Sequence, residues 1–186
     1  SLAKKYKKYG ILQIDEHMDL RKAYEGFTYS HASIMYNTLQ LKEVSKLVQL
    51  GIRDFCEEEN NFAVKNASRV KVFTYADVRN KQFEGASWKK MCDTIIASLP
   101  EYVHISFDID GLDPKLCPNT GTPVAGGFEF HEITYLLSAL AKSKKKIISF
   151  DLNEVSPGDD DWDGNVGSRM LFHLCGVLAK SNGKIK

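Results

Sequence analysis

The sequence predicts an α/β fold in three layers, a mainly parallel sheet with helices on both faces. Short apolar runs alternate with segments of helical spacing, as βα units require. The apolar runs are almost unbroken, as expected of strands covered on both sides. Polar clusters stand where three of these runs end. In order, a solvated helix over "AKKYKK" leads into a strand at "GILQI" (10–14). That basic stretch is too short-lived to act as a nucleic-acid arm, because its charges do not continue. Helical spacing over about 32–43 precedes a strand at "KLVQLGI" (46–52), and a helix over about 55–66 precedes one at "RVKVFTY" (69–75). A helix over about 86–98 leads to "YVHISF" (102–107), one over 129–143 to "KKIISFDL" (145–152), and a last helix occupies about 165–180. No internal repeat or low-complexity linker interrupts the pattern, so residues 1–186 read as one domain.

The 186 residues are 43% hydrophobic and 26% charged, with a net charge of +1. Such a balance gives no electrostatic footprint for nucleic acid. The longest apolar runs fall well short of the roughly 18–20 residues that span a bilayer, and no signal peptide is visible, so a cytoplasmic protein without membrane partners is expected. The four cysteines, Cys56, Cys92, Cys117 and Cys175, are scattered without a C-x-x-C pair. They read as reduced thiols used in packing.

The clusters "DEHMD" (15–19), "DIDGLDP" (108–114) and "NEVSPGDDD" (153–161) follow the first, fourth and fifth strands. Open α/β sheets bind ligands outside the carboxyl ends of their strands. In extended chain, residues i and i+2 point the same way, so Asp108 and Asp110 can aim at one point, as can Asp15 and His17. Asp19 would lie about 13 Å from Asp15 if the strand continued. The backbone must therefore coil after His17 for Asp19 to join them.

Four aspartates and one histidine form a hard, oxygen-rich donor set whose charge would balance two divalent cations, and such donors suit Mn²⁺ better than Zn²⁺. Read alone, D-x-H-x-D is more often an exposed loop or a set of capping residues than a metal site. The second motif alone could be a turn around Gly111 and Pro114, while a calcium loop is excluded because no Glu stands at its twelfth position. Together on one sheet edge the two motifs point to a metal site.

The segments "DEHMD", "FDIDGLDP", "TGTPVAGG" and "DLNEVSP" resemble, in order, the signatures of the ureohydrolase superfamily, which includes arginases, agmatinases and formimidoylglutamases. The resemblance runs from about residue 10 to 180 and implies an arginase/deacetylase-like fold holding two Mn²⁺ per subunit. It implies that Asp15 and Asp108 bridge the metals, that Asp19 completes one shell, and that His17 with Asp110 completes the other. Asp19 would also touch a metal-bridging hydroxide, the nucleophile. Glu154 would hold a substrate guanidinium, and His31, in "YSHAS", would pass a proton to the leaving amine. A homo-oligomer, trimer or hexamer, is implied as well. The chemistry requires these residue types: a guanidinium carbon is poorly electrophilic, and the leaving amine needs a proton that a histidine can relay.

The superfamily carries a further metal-binding histidine upstream in a Gly-Gly-acidic-His segment, absent from this sequence. Residues 1–186 are therefore expected to be the C-terminal portion of such a catalytic domain, without its N-terminal strands. Glu16 stands where the superfamily usually has alanine, and it calls for a partner on the face opposite Asp15 and His17. Arg21, in "MDLR", resembles formimidoylglutamases, where it could meet a substrate carboxylate; a salt bridge to a nearby loop is equally expected. Arg53 reads as structural or interfacial. His104, His131 and His173 read as packing or surface residues, and Asp159–Asp161 as a solvated loop. The expected activity is agmatinase-like release of urea from a small guanidino compound, with a formimino substrate or arginine as alternatives. A zinc deacetylase is disfavoured because no tandem histidine pair occurs. A non-catalytic metal-binding member is the reading from another class.

Overall fold

Five strands pair in parallel in the computed structural model, which describes residues 2–185: β1 Tyr9–Ile14, β2 Val44–Ile52, β3 Val70–Thr74, β4 Tyr102–Asp108 and β5 Lys146–Asn153. Their order is β3-β2-β1-β4-β5, so the chain winds outward from β1 in one direction and resumes on its other side at β4. The gap between the carboxyl ends of β1 and β4 is thus the topological switch point, the place where open sheets leave a crevice. Register sets the two strand ends level, because Ile14 lies opposite both Leu50 of β2 and Phe107 of β4. Asp15 and Asp108 are the next residues on each chain.

Alternation along the strands divides the core in two. Leu12, Ile14, Val48, Leu50, Val103, Ile105 and Phe107 pack with residues of α5 Trp88–Ala97, α6 Phe130–Lys142 and α7 Trp162–Ser181. Tyr9, Ile11, Val44 and Leu47 pack on the other face with α2 Ile34–Thr38 and α3 Glu57–Lys65. Each fully buried leucine or isoleucine contributes roughly 1.5–3 kcal/mol of apolar burial. The predicted three-layer α/β fold is the observed one.

Helix α1, Leu2–Lys5, is shorter than the expected solvated lead-in and ends before Tyr6, because Leu2 and Tyr6 pack on the core. Two further elements differ from expectation. The segment read as a helix over 32–43 is a 3-10 turn, His31–Ser33, followed by the five-residue α2. Beyond it the Arg69 guanidinium donates to the carbonyls of Leu39, Leu41 and Val44, satisfying groups in the turn between α2 and β2 that no helix pairs. The third strand ends at Thr74 rather than at Tyr75, and α4, Tyr75–Phe83, was absent from the sequence reading. Thr74 caps that helix by accepting from Asp77 N–H at 3.1 Å. Only Val78 of α4 is buried, so the helix writes no apolar period into the sequence.

Candidate metal centre

Two glycines let the metal-type loops close on β1. A Cβ on Gly111 would lie 2.9 Å from the Asp15 nitrogen, and one on Gly51, whose φ is +101°, would lie 2.9 Å from the Asp15 carbonyl oxygen. With the backbones this close, Asp110 Oδ1 accepts the Glu16 N–H at 3.0 Å, and Asp15 N–H reaches the Leu50 carbonyl at 3.1 Å. The Asp15 carboxylate is turned by its own loop: His17 N–H donates to Oδ1 at 2.6 Å and the Gln13 amide to Oδ2 at 2.8 Å. His17 Nδ1 then stands 3.5 Å from Asp15 Oδ1 and 3.2 Å from Asp110 Oδ2. Donor atoms of Asp15, His17 and Asp110 all lie within 4.8 Å of one another.

The coil anticipated after His17 is present. Asp19 has φ +55°, a left-handed conformation uncommon for a residue with a Cβ, and its carbonyl accepts from Met35 and Tyr36 at the start of α2. Glu154 after β5 is likewise at φ +59°. Such strain concentrates where a side chain must be aimed.

The charges are crowded. Burial first, then the charge of Asp110, raises the Asp15 carboxyl to about 6. Burial and then Asp15 push Asp19 up to about 9, and burial, Asp15 and Asp110 push Asp108 up to about 10. Burial works to lower His17, yet its hydrogen bonds to Asp110 and Asp15 carry it up to about 11. Buried carboxylates in this arrangement either take protons or share a cation, and a bound cation reverses those shifts. An oxygen-rich set with one imidazole fits a hard divalent cation.

Glu16 has the partner that the sequence did not disclose. It is fully buried, and its Oε2 accepts from Arg53 Nη2 at 2.6 Å and from the Val124 N–H at 3.0 Å. Burial, then Asp110, raises its carboxyl to about 7. Arg53 also donates to the carbonyls of Val124, Asp110, Leu112 and Gly51, so it ties the end of β2 and the segment after β1 to the long connection between β4 and α6. Gln13 and Gln49, absent from the sequence reading, lie opposite each other in register, and Gln49 donates to Gln13 at 2.7 Å. Their signal was a lone polar residue in each of two apolar stretches, 10–14 and 47–52.

One cavity of about 370 Å³ is lined by all seven residues read from the motifs — Asp15, His17, Asp19, Asp108, Asp110, His31 and Glu154 — and also by Arg21. His31 is exposed at the start of the 3-10 turn, its ring edge-on to Tyr24 with centroids 5.4 Å apart. Glu154 is exposed beside Gly121. Arg21 places its guanidinium carbon 5.2 Å over the Tyr24 ring, and its Nε lies 3.7 Å from Glu59 Oε2 on α3. Away from the cavity, His104 bonds Ser149 at 2.8 Å and Asp151 at 2.9 Å, and half-buried His173 meets the Thr134 carbonyl at 3.1 Å. Asp159–Asp161 are exposed. All four cysteines are free; Cys92 and Cys117 are buried as expected of packing residues, whereas Cys175 is exposed. Among the described residues no helix is long and apolar enough to cross a membrane.

Comparison with known proteins gives concordant findings. A family model described as "Arginase family" matches residues 1–176. An N(1)-aminopropylagmatine ureohydrolase of Thermus thermophilus is 32% identical over 175 residues, covering 94% of this chain and 56% of its own length. An agmatinase of Pyrococcus horikoshii is 32% identical over 170 residues, covering 89% and 54%. The solved structure of a proclavaminate amidino hydrolase from Streptomyces clavuligerus superposes with a TM-score of 0.80 at 25% identity, over 97% of this chain and 58% of that one. The chain spans about half the length of the curated relatives it matches.

Proposed function

The chain belongs to the arginase family, and from that premise we propose that it carries the metal-binding part of a hydrolase cleaving a linear C–N bond of a small guanidino compound, agmatinase-like, with release of urea. The observation that carries this reading is the convergence of Asp15, His17 and Asp110 at the switch point, in a cavity that Asp19, Asp108, His31 and Glu154 also line. Asp15, His17, Asp19, Asp108 and Asp110 would hold two Mn²⁺ ions, whose charge the four carboxylates match. When bound, the ions supply Lewis acidity and the activation of water at neutral pH.

The chain's own side chains then divide the remaining work. Glu154, exposed at the rim and fixed by its left-handed backbone, pairs with the substrate guanidinium and sets its orientation. His31, exposed and held against Tyr24, delivers a proton to the departing amine. Asp19, on the cavity wall next to α2, would face the reacting water. Arg21 favours a second reading. It is a cation on the cavity wall and would receive the carboxylate of a formimino or guanidino acid.

Incubation with Mn²⁺ tests both readings: urea is followed from agmatine, arginine and guanidinobutyrate, and formamide from formimidoylglutamate. Turnover of agmatine is expected, while turnover confined to the acids would favour the role of Arg21. Silence on all four substrates by a protein that also binds no Mn²⁺ would leave the non-catalytic reading. Asp108→Ala is expected to lose bound Mn²⁺; retention of both ions would remove its assignment.

A further inference from the structure

We propose that Glu16 is a positioning residue that holds the Nε2 proton of His17 and thereby turns Nδ1 of that ring toward the cation. The inference rests on the metal-site reading for its second half only. Glu16 Oε2 is committed, receiving Arg53 Nη2 at 2.6 Å and Val124 N–H at 3.0 Å. Oε1 is buried and has no hydrogen-bond partner among the described residues. It lies 3.5 Å from His17 Nε2, a short adjustment away from a hydrogen bond. A buried acceptor with nothing to accept costs about 1–3 kcal/mol, so an adjacent ring N–H is the group it selects.

The other neighbours of the ring agree with that assignment. Asp54 Oδ2, also an acceptor when ionised, lies 3.9 Å from Nε2, and the Thr122 hydroxyl lies 3.4 Å away and can turn to accept. Nδ1 faces Asp110 Oδ2 and Asp15 Oδ1 at 3.2 and 3.5 Å. With a proton kept on Nε2, it is the Nδ1 proton, held between the two carboxylates in the metal-free protein, that a cation would replace. Metal-binding histidines are commonly oriented by a carboxylate on the far nitrogen. The Arg53 clamp keeps Glu16 in place for this task, because its guanidinium is anchored at the same time to the carbonyls of Val124 and Asp110 at 3.0 and 2.8 Å.

Two substitutions separate positioning from mere support. In Glu16→Gln the amide oxygen is retained by the two donors at the Oε2 position, which places the NH₂ against His17 Nε2. That forces the ring proton toward Nδ1, where the cation would sit. Glu16→Ala removes the acceptor but leaves the ring free to choose. Mn²⁺ affinity, read from the EPR signal of free Mn²⁺, is therefore expected to fall about 10- to 100-fold in Glu16→Gln and by less in Glu16→Ala. A purely structural Glu16 would give the reverse order, since the near-isosteric Gln preserves packing and the Arg53 bond; that order would overturn the proposal.

A second readout needs no metal. Ring ¹⁵N–¹H spectra of the metal-free protein should show His17 protonated on both nitrogens, Nδ1 toward Asp15 and Asp110 and Nε2 toward Glu16, with the Nε2 proton alone lost in Glu16→Gln. An unprotonated Nε2 in the unsubstituted protein would overturn the proposal whatever the metal does. Absence of Mn²⁺ binding with Nε2 protonated would instead count against the metal reading and leave the Glu16–His17 contact standing.

Discussion

Gln13 joins the sheet to the site through a single amide. Its NH₂ donates to Asp15 Oδ2 at 2.8 Å, and its oxygen accepts from Gln49 at 2.7 Å, all within the buried interior. Gln13→Leu would remove one of the two hydrogen bonds that orient the Asp15 carboxylate and leave one N–H of the Gln49 amide unpaired, the other still reaching the Met18 carbonyl at 2.7 Å. The expected result is a weakening of Mn²⁺ binding by roughly tenfold and a loss of about 1–3 kcal/mol in chemical denaturation. Unchanged affinity with lowered stability would confine Gln13 to the core. At this scale the sequence placed the acidic and histidine side chains that line the cavity, because the i, i+2 spacing of Asp15/His17 and Asp108/Asp110 is local. It concealed their supports. Glu16 depends on Arg53, 37 residues away, and no spacing rule links the two.

The strands were legible as elements, since each is an apolar run bounded by polar residues, and their ends fell within two residues of the observed ones. Helix α4 was not, for its stability comes through an exposed cap and one long-range pair. Arg79 on α4 grips Glu132 on α6 through two bonds of 2.6 Å, while its guanidinium carbon lies over Tyr75 and Phe128 at 5.1 and 5.4 Å. Burial works to raise Glu132, but the Arg79 hydrogen bonds outweigh it and hold the carboxyl below its ordinary value of 4.5. A lowered folded value means that the stabilisation is fully present above the ordinary value and is lost as pH falls through the folded one. Glu132→Gln should cost about 1–3 kcal/mol near neutral pH. Urea denaturation of both proteins from pH 8 downward should show a constant gap that narrows only below about pH 4.5. A gap independent of pH throughout would mean that charge plays no part in it.

For the molecule as a whole, the site is the seam where both halves of the winding meet. A cation bound there favours the folded chain alone, because the donors come together only in the native sheet. Mn²⁺ at a hundred times its dissociation constant is expected to add about 2.7 kcal/mol, read as a rise of roughly 5–10 °C in Tm and reversed by chelation. No shift on adding Mn²⁺ would argue that the donors do not act together. The pairing of distant segments has a kinetic side too. Glu16 and Asp110, joined at 3.0 Å, are 94 residues apart along the chain. Contacts of such separation close late, after the cost of a long loop has been met. An ion taken up there would therefore be no nucleus for folding; its capture would mark the moment at which β1 and β4 have found each other.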